Sequence, residues 1–185
     1  MDVLTLLGFG VIAIVVLILV WLFFSYYNRI RRFENQIGEA WSQIDVQLKK
    51  RYDLVPNLVE TVKGYAAHEK EIFEKVAAAR AGMMQGSPQE RMDSSNILTS
   101  TLRQLFAVAE AYPQLKANEN FKLLQEQLQG LEDKIAYSRQ YYNTVVLNFN
   151  NLITTIPGAW FAGGRSKHEF LTIPEGERQV PKVQF

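Results

Sequence analysis

The sequence predicts an all-α protein: an N-terminal transmembrane helix continuous with a bundle of long antiparallel helices, closed by an extended C-terminal tail. Three observations predict it. No charged side chain occurs from Val3 to Asn28. An apolar heptad runs from Phe121 to Ile156. The stretch after Pro157 holds Gly158, Gly163, Gly164, Pro174, Gly176 and Pro181, which together prevent a long helix. The organisation expected is a transmembrane anchor over 1–28, a helical bundle over 29–157, and a tail over 158–185 packing on that bundle.

The anchor comes first. Its strongly apolar part, from about Leu4 to Phe24, spans roughly 30 Å as a helix, the thickness of a hydrocarbon core. A cleavable signal would start with basic residues and end in small ones. Here the start is Met1-Asp2 and the far end is Trp21-Leu22-Phe23-Phe24-Ser25-Tyr26-Tyr27, so the span is expected to stay. Trp21, Tyr26 and Tyr27 belong at headgroup level. Arg29, Arg31 and Arg32 follow at once, then Lys49, Lys50 and Arg51. The positive-inside rule then puts the C-terminal domain in the cytoplasm and the N-terminus outside. The Arg cluster reads first as a topology signal, and second as a site for anionic lipid.

Phe33, Ile37, Trp41, Ile44, Leu48, Tyr52 and Val55 step by three and four, which predicts one helix from the lipid to about Val55. Pro56 should kink it or start a new one. A second stretch is expected from Pro56 to Met84, weakened at Gly64. Gln85-Gly86-Ser87-Pro88 is a turn, and a third helix should run from Gln89 to Ala111 until Pro113 closes it. Asn118 should cap the last helix. Its packing seam is Phe121, Leu124, Leu128, Leu131, Ile135, Tyr142, Val145, Phe149 and Leu152, with Ser138 the one polar member. This coiled-coil-like helix should reach about Thr155. Asn143, Asn148, Asn150 and Asn151 fall off the seam, as exposed groups or interhelical hydrogen bonders. Asp45 is expected to face solvent, and Asp53 to cap the helix begun by Pro56. In the tail, Trp160, Phe161, Phe170, Val180, Val183 and Phe185 are too apolar for a solvated strand. They should pack along the bundle, or else Trp160 and Phe161 should dock on a membrane or a partner.

Chemistry-bearing patterns are scarce. The chain has no cysteine. Three residues before His68 stands Tyr65, and before His168 stands Arg165, so no Glu-x-x-His pair exists for a bundle metal site. There is no phosphate loop, nucleophile elbow or dinucleotide fingerprint. Net charge is +1, and the basic runs are short and near the membrane, which argues against nucleic acid. The expectation is a non-enzyme with no catalytic, cofactor-binding or metal-binding residue and no small-molecule substrate.

The run Ala40-Trp41-Ser42-Gln43-Ile44-Asp45-Val46-Gln47-Leu48-Lys49-Lys50-Arg51-Tyr52-Asp53-Leu54-Val55-Pro56-Asn57-Leu58-Val59-Glu60-Thr61-Val62-Lys63-Gly64-Tyr65 resembles the signature of the LemA family. Leu105 to Pro113, Leu115 to Phe121, Ile135 to Asn143 and the closing Pro181 to Phe185 resemble the same family. The resemblance implies a bacterial cell-membrane protein with a short outside N-terminus and a cytoplasmic bundle of long antiparallel helices. It implies no established biochemical activity. Some relatives are linked to magnetosome formation, but nothing in these residues marks that branch. The leading expectation is a membrane-anchored scaffold or adaptor, homo-oligomeric or bound to other membrane proteins. The alternative is a membrane-surface organiser that binds anionic lipid or senses curvature.

Overall fold

The structure, a computed structural model, describes residues 3–172. It consists of α1 (Val3–Lys63), α2 (Lys70–Gly82), α3 (Pro88–Glu110), α4 (Pro113–Ala117), α5 (Glu119–Thr154) and a 3₁₀ turn over Gly158–Phe161, with no strand among the described residues. Two compact units divide the chain: 3–39 with 143–169, and 40–142 with 170–172.

In the first unit, α1 begins as the apolar span. Large side chains from Leu7 to Phe24 are exposed on all faces of the helix, and this is one helix long and apolar enough to cross a membrane. Only a non-aqueous surrounding makes such a surface favourable. Past the span, α1 contributes Ile30 and Ile37 to a core with Val145, Val146, Phe149 and Ile153 of α5. Each such side chain contributes roughly 1.5–3 kcal/mol on burial. Asn150, an off-seam asparagine, is buried. Its amide donates to the His168 carbonyl and its oxygen accepts from the His168 N–H, both at 2.9 Å. The His168 ring lies edge-on to Phe149 at 5.0 Å. Residues past the 3₁₀ turn are therefore held extended against α5.

In the second unit, side-chain pairs set the helix directions. Trp41 meets Tyr142 and Arg51 meets Glu132, so α1 and α5 are antiparallel. Tyr52 meets Arg80 and Lys63 meets Phe73, so α2 runs against α1. Asn96 meets Arg139 and Phe106 meets Phe121, so α3 runs against α5. The result is an up-down-up-down bundle, the layout that short connections favour. Ser87 caps α3 in a full capping box with Glu90 and Pro88 follows at the first position. These hydrogen bonds to the Ser87 backbone and hydroxyl hold the Glu90 carboxyl below its usual range. Asn118 accepts from the Phe121 N–H at 3.0 Å and starts α5 as its spacing predicted.

Two expectations about α1 are corrected. Of the two outcomes expected at Pro56, the new start does not occur: α1 continues through it to Lys63. Proline has no N–H, so the Tyr52 carbonyl loses its helical donor. Arg80 of α2 replaces it, with Nε donating at 2.9 Å and the guanidinium 3.6 Å from the Tyr52 ring centre. Consequently Asp53 caps nothing; it pairs with Lys49 at 2.6 Å on the exposed face. The stretch expected as one helix over 56–84 is two pieces. Gly64 ends the first, the chain turns over 64–69 with Ala66 buried, and α2 follows. The short α4 was not anticipated. Gln89 contacts Thr172 through its amide, and Leu171 is buried. The expectations for Val180, Val183, Phe185 and the Pro181–Phe185 motif lie outside the described residues.

Candidate membrane-interface site

The predicted interface residues gather in the first unit. Trp21 is exposed within the span, and Tyr26 and Tyr27 are half-buried one turn beyond it. The 3₁₀ turn covers Tyr26. The Phe161 ring stacks on Tyr26 at 5.4 Å and 15°, and meets Phe23 edge-on at 6.2 Å. The turn can close because residue 158 is glycine: a Cβ there would overlap the Leu152 carbonyl and crowd the Leu152 side chain.

The arginines that follow do different things. Arg31 Nη1 donates to Glu34 at 3.0 Å, and Arg165 Nε donates to the other oxygen of the same carboxylate at 2.6 Å. Both guanidiniums also sit over the Tyr27 ring, at 5.6 and 5.7 Å. Burial works to raise the Glu34 carboxyl, but the two arginines outweigh it and hold it below its ordinary value. Arg29 and Arg32 are exposed. Arg29 lines a cleft of about 420 Å³ with Tyr26 and Phe33 of α1, Asn148, Asn151 and Leu152 of α5, and Thr155 to Gly158 beyond it.

The predicted seam of α5 distributes as follows. Phe121, Leu128, Leu131, Ile135, Tyr142, Val145 and Phe149 are buried, Leu124 and Leu152 half-buried, and Ser138 is buried with them. Ile156, the next heptad position, is 71% exposed.

Sequence reasoning missed a polar cluster in the second unit. Arg51, part of a short basic run near the membrane in the sequence, is 2% exposed. Its Nη1 reaches Glu132 at 2.6 Å and the Ser95 hydroxyl at 3.0 Å, and its Nη2 reaches the Thr99 hydroxyl at 2.9 Å. Thr99 in turn donates to Glu132 at 3.0 Å. Burial lowers the Arg51 pKa from its usual value and Glu132 opposes that shift; the guanidinium stays charged at neutral pH. Asp45 keeps its solvent exposure and is ion-paired to Arg91, whose guanidinium lies over the Trp41 ring at 5.3 Å. Among the described residues no group of three or more His, Asp or Glu side chains is placed to hold a metal ion.

Comparison with known proteins gives a family match and named relatives. The model of the LemA family matches residues 40–185. The chain is similar to Magnetosome protein MamQ 2 of Paramagnetospirillum magneticum, 24% identical over 86% of this chain and 70% of that one. It is 25% identical to Magnetosome protein MamQ of Magnetospirillum gryphiswaldense, over 94% of this chain and 76% of that one. It is 26% identical to Protein LemA of Metamycoplasma hominis, over 69% of this chain and 59% of that one.

Proposed function

We propose, for a chain that belongs to the LemA family, the role of a membrane-anchored scaffold or adaptor without catalytic activity. The observation that carries this reading is the continuity of α1. One helix supplies the apolar span and then, within the same unit, the core residues Ile30 and Ile37, so no flexible linker stands between the span and the helix packing of that unit. Exposed apolar groups on the bundle support assembly with a second copy or with other membrane proteins. Tyr137, 75% exposed, and Tyr141 lie one turn apart on α5, and Ile97 is exposed on α3. Relatives named as magnetosome proteins support a place at a membrane. The arginines directly after the span support a bacterial inner-membrane location with the bundle in the cytoplasm.

Assembly is tested by extraction in mild detergent and mass photometry across protein concentration, with chemical crosslinking in intact cells. A concentration-independent monomer that captures neither itself nor another membrane protein would refute the scaffold. Topology is tested by cysteine labelling, which is clean because the native chain has no cysteine. Gln127→Cys should react with a membrane-impermeant maleimide only after the cells are opened; labelling in intact spheroplasts would invert the orientation. The second reading, an organiser of the lipid surface, draws support from the cleft beside Arg29.

A further inference from the structure

The Gly158–Phe161 turn is held level with the end of the membrane span, because Phe161 rests on Phe23 inside the span and on Tyr26 just past it. That contact sets the depth of its neighbours. Trp160 is 73% exposed and Ile156 is 71% exposed. In water each would leave a large apolar surface uncovered. At the boundary between headgroups and acyl chains, a tryptophan with one polar edge is favoured.

The cleft opens at the same level. Arg31 and Arg165 are engaged by Glu34, whereas the side chains of Arg29, Asn148 and Asn151 line the cleft without a hydrogen bond or ion pair to any described residue. A guanidinium and two amides offer N–H donors to an oxyanion. The end of α5 would oppose an anion through its free carbonyls. At that end the Asn151 carbonyl accepts from the Thr155 N–H at 3.0 Å and the Thr155 hydroxyl at 2.7 Å, and the Thr155 carbonyl from the Ala159 N–H at 2.9 Å; the donors of Arg29, Asn148 and Asn151 have to outweigh the carbonyls that remain. Past the span, this unit carries five basic side chains, Arg29, Arg31, Arg32, Arg165 and Lys167, against Glu34, Glu39 and Glu169. A volume of about 420 Å³ suits a small polar group rather than a peptide.

We propose that this cleft binds the phosphodiester headgroup of an anionic phospholipid, with Arg29, Asn148 and Asn151 on the phosphate oxygens and Trp160 and Ile156 seated among the adjoining chains. The assignment rests on the reading of α1 as a membrane anchor, and it deepens the lipid-organising role to a defined site. A lipid is favoured over free phosphate because the apolar walls, Tyr26 and Ile156, adjoin the polar donors at bilayer depth.

The full chain is reconstituted in nanodiscs of phosphatidylcholine with a minor fraction of phosphatidylglycerol, and lipid retained on gentle release is counted by native mass spectrometry. Phosphatidylglycerol should be retained over phosphatidylcholine. R29Q should cut that retention about tenfold, the loss of one charge-assisted contact. R32Q, which removes the same charge outside the cleft, should change it less than twofold. Equal losses in R29Q and R32Q would reduce the effect to diffuse charge and overturn the cleft. Inorganic phosphate that competes the lipid away at millimolar concentration would overturn the lipid assignment. A W21F/W41F variant leaves Trp160 as the single tryptophan, and brominated lipid should quench it strongly; no quenching would overturn its seating. Alkaline carbonate extraction separates the two levels. A chain washed from membranes overturns the anchor itself, whereas an integrated chain without lipid preference overturns only the cleft.

Discussion

Replacing Arg80 by methionine should uncouple α2 from the proline in α1. Pro56 leaves the Tyr52 carbonyl without its helical donor, and Arg80 supplies the substitute at 2.9 Å while its guanidinium covers the Tyr52 ring at 3.6 Å. A hydrogen bond from a charged group to a half-buried carbonyl contributes about 1.5–3 kcal/mol. The cation over the ring adds roughly 0.5–1 kcal/mol at this exposure. Methionine keeps much of the aliphatic packing but donates nothing, so R80M should cost about 2–4 kcal/mol. For a chain of this size that is a fall in Tm of roughly 5–15 °C, read by circular dichroism in mild detergent. The decisive arm is P56A, which restores the missing N–H to Tyr52. In that background R80M should lose at least about 1 kcal/mol of its effect. An R80M melt within a degree of the parent, or an equal loss with and without Pro56, would refute the account of why α1 passes through a proline.

Three further outcomes follow from the same structure. Glu132→Ala should cost about 3–5 kcal/mol, because it strands the Arg51 charge in the core; the double variant R51M/E132L should recover most of that loss in thermal melts. Glu34 is lowered in the folded chain by Arg165 and Arg31 against the raising effect of burial, so its contribution is complete above the unfolded carboxylate pKa. It is lost as pH falls through the folded value; the melting temperature of E34Q should therefore converge on the parent only on the acid side of the ordinary carboxylate range, and a gap that stays constant with pH would contradict this. Gly158→Ala should cost about 1–3 kcal/mol through overlap with the Leu152 carbonyl. It should also shift Trp160 emission in the W21F/W41F background, whereas an unchanged spectrum would mean that the turn does not need the glycine.

The elements most legible in the sequence were those whose cause is local. The span is readable because an uncharged helix of that length has few other destinations. The start of α5 is readable because Asn118 meets Phe121 within one turn, and the alternation of three and four along α5 needs only the helical period. The α3 capping box was equally local, since Ser87 and Glu90 stand three apart across Pro88 and Gln89; it is a signal that spacing carries and that the turn reading passed over. Gly64, by contrast, was read as a weak point when it is an end, because the chain beyond it turns on a buried Ala66 rather than on a second proline.

The new helix start expected at Pro56 and the outward-facing Arg51 fail for one shared physical reason: each residue breaks a local rule and is compensated by residues far along the chain. The inward positions of α1 are Ile37, Ala40, Ile44, Leu48, Arg51, Val55, Leu58 and Val62, which still step by three and four. Choosing apolar residues alone selects Tyr52 in place of Arg51 and places the charge outside. The spacing held the answer, but an arginine is admitted to a core only where a carboxylate and hydroxyls meet it, and Glu132, Ser95 and Thr99 come from α5 and α3. In the same way a proline is admitted inside a helix only where something else feeds the orphaned carbonyl, and Arg80 comes from α2. Local rules therefore predict the helices, and the exceptions mark where helices grip one another. The interface site obeys the same logic in reverse. Arg29, Arg31 and Arg32 are alike as a sequence run, and it is Glu34 with Arg165 that engages the second of them and leaves the first facing the cleft.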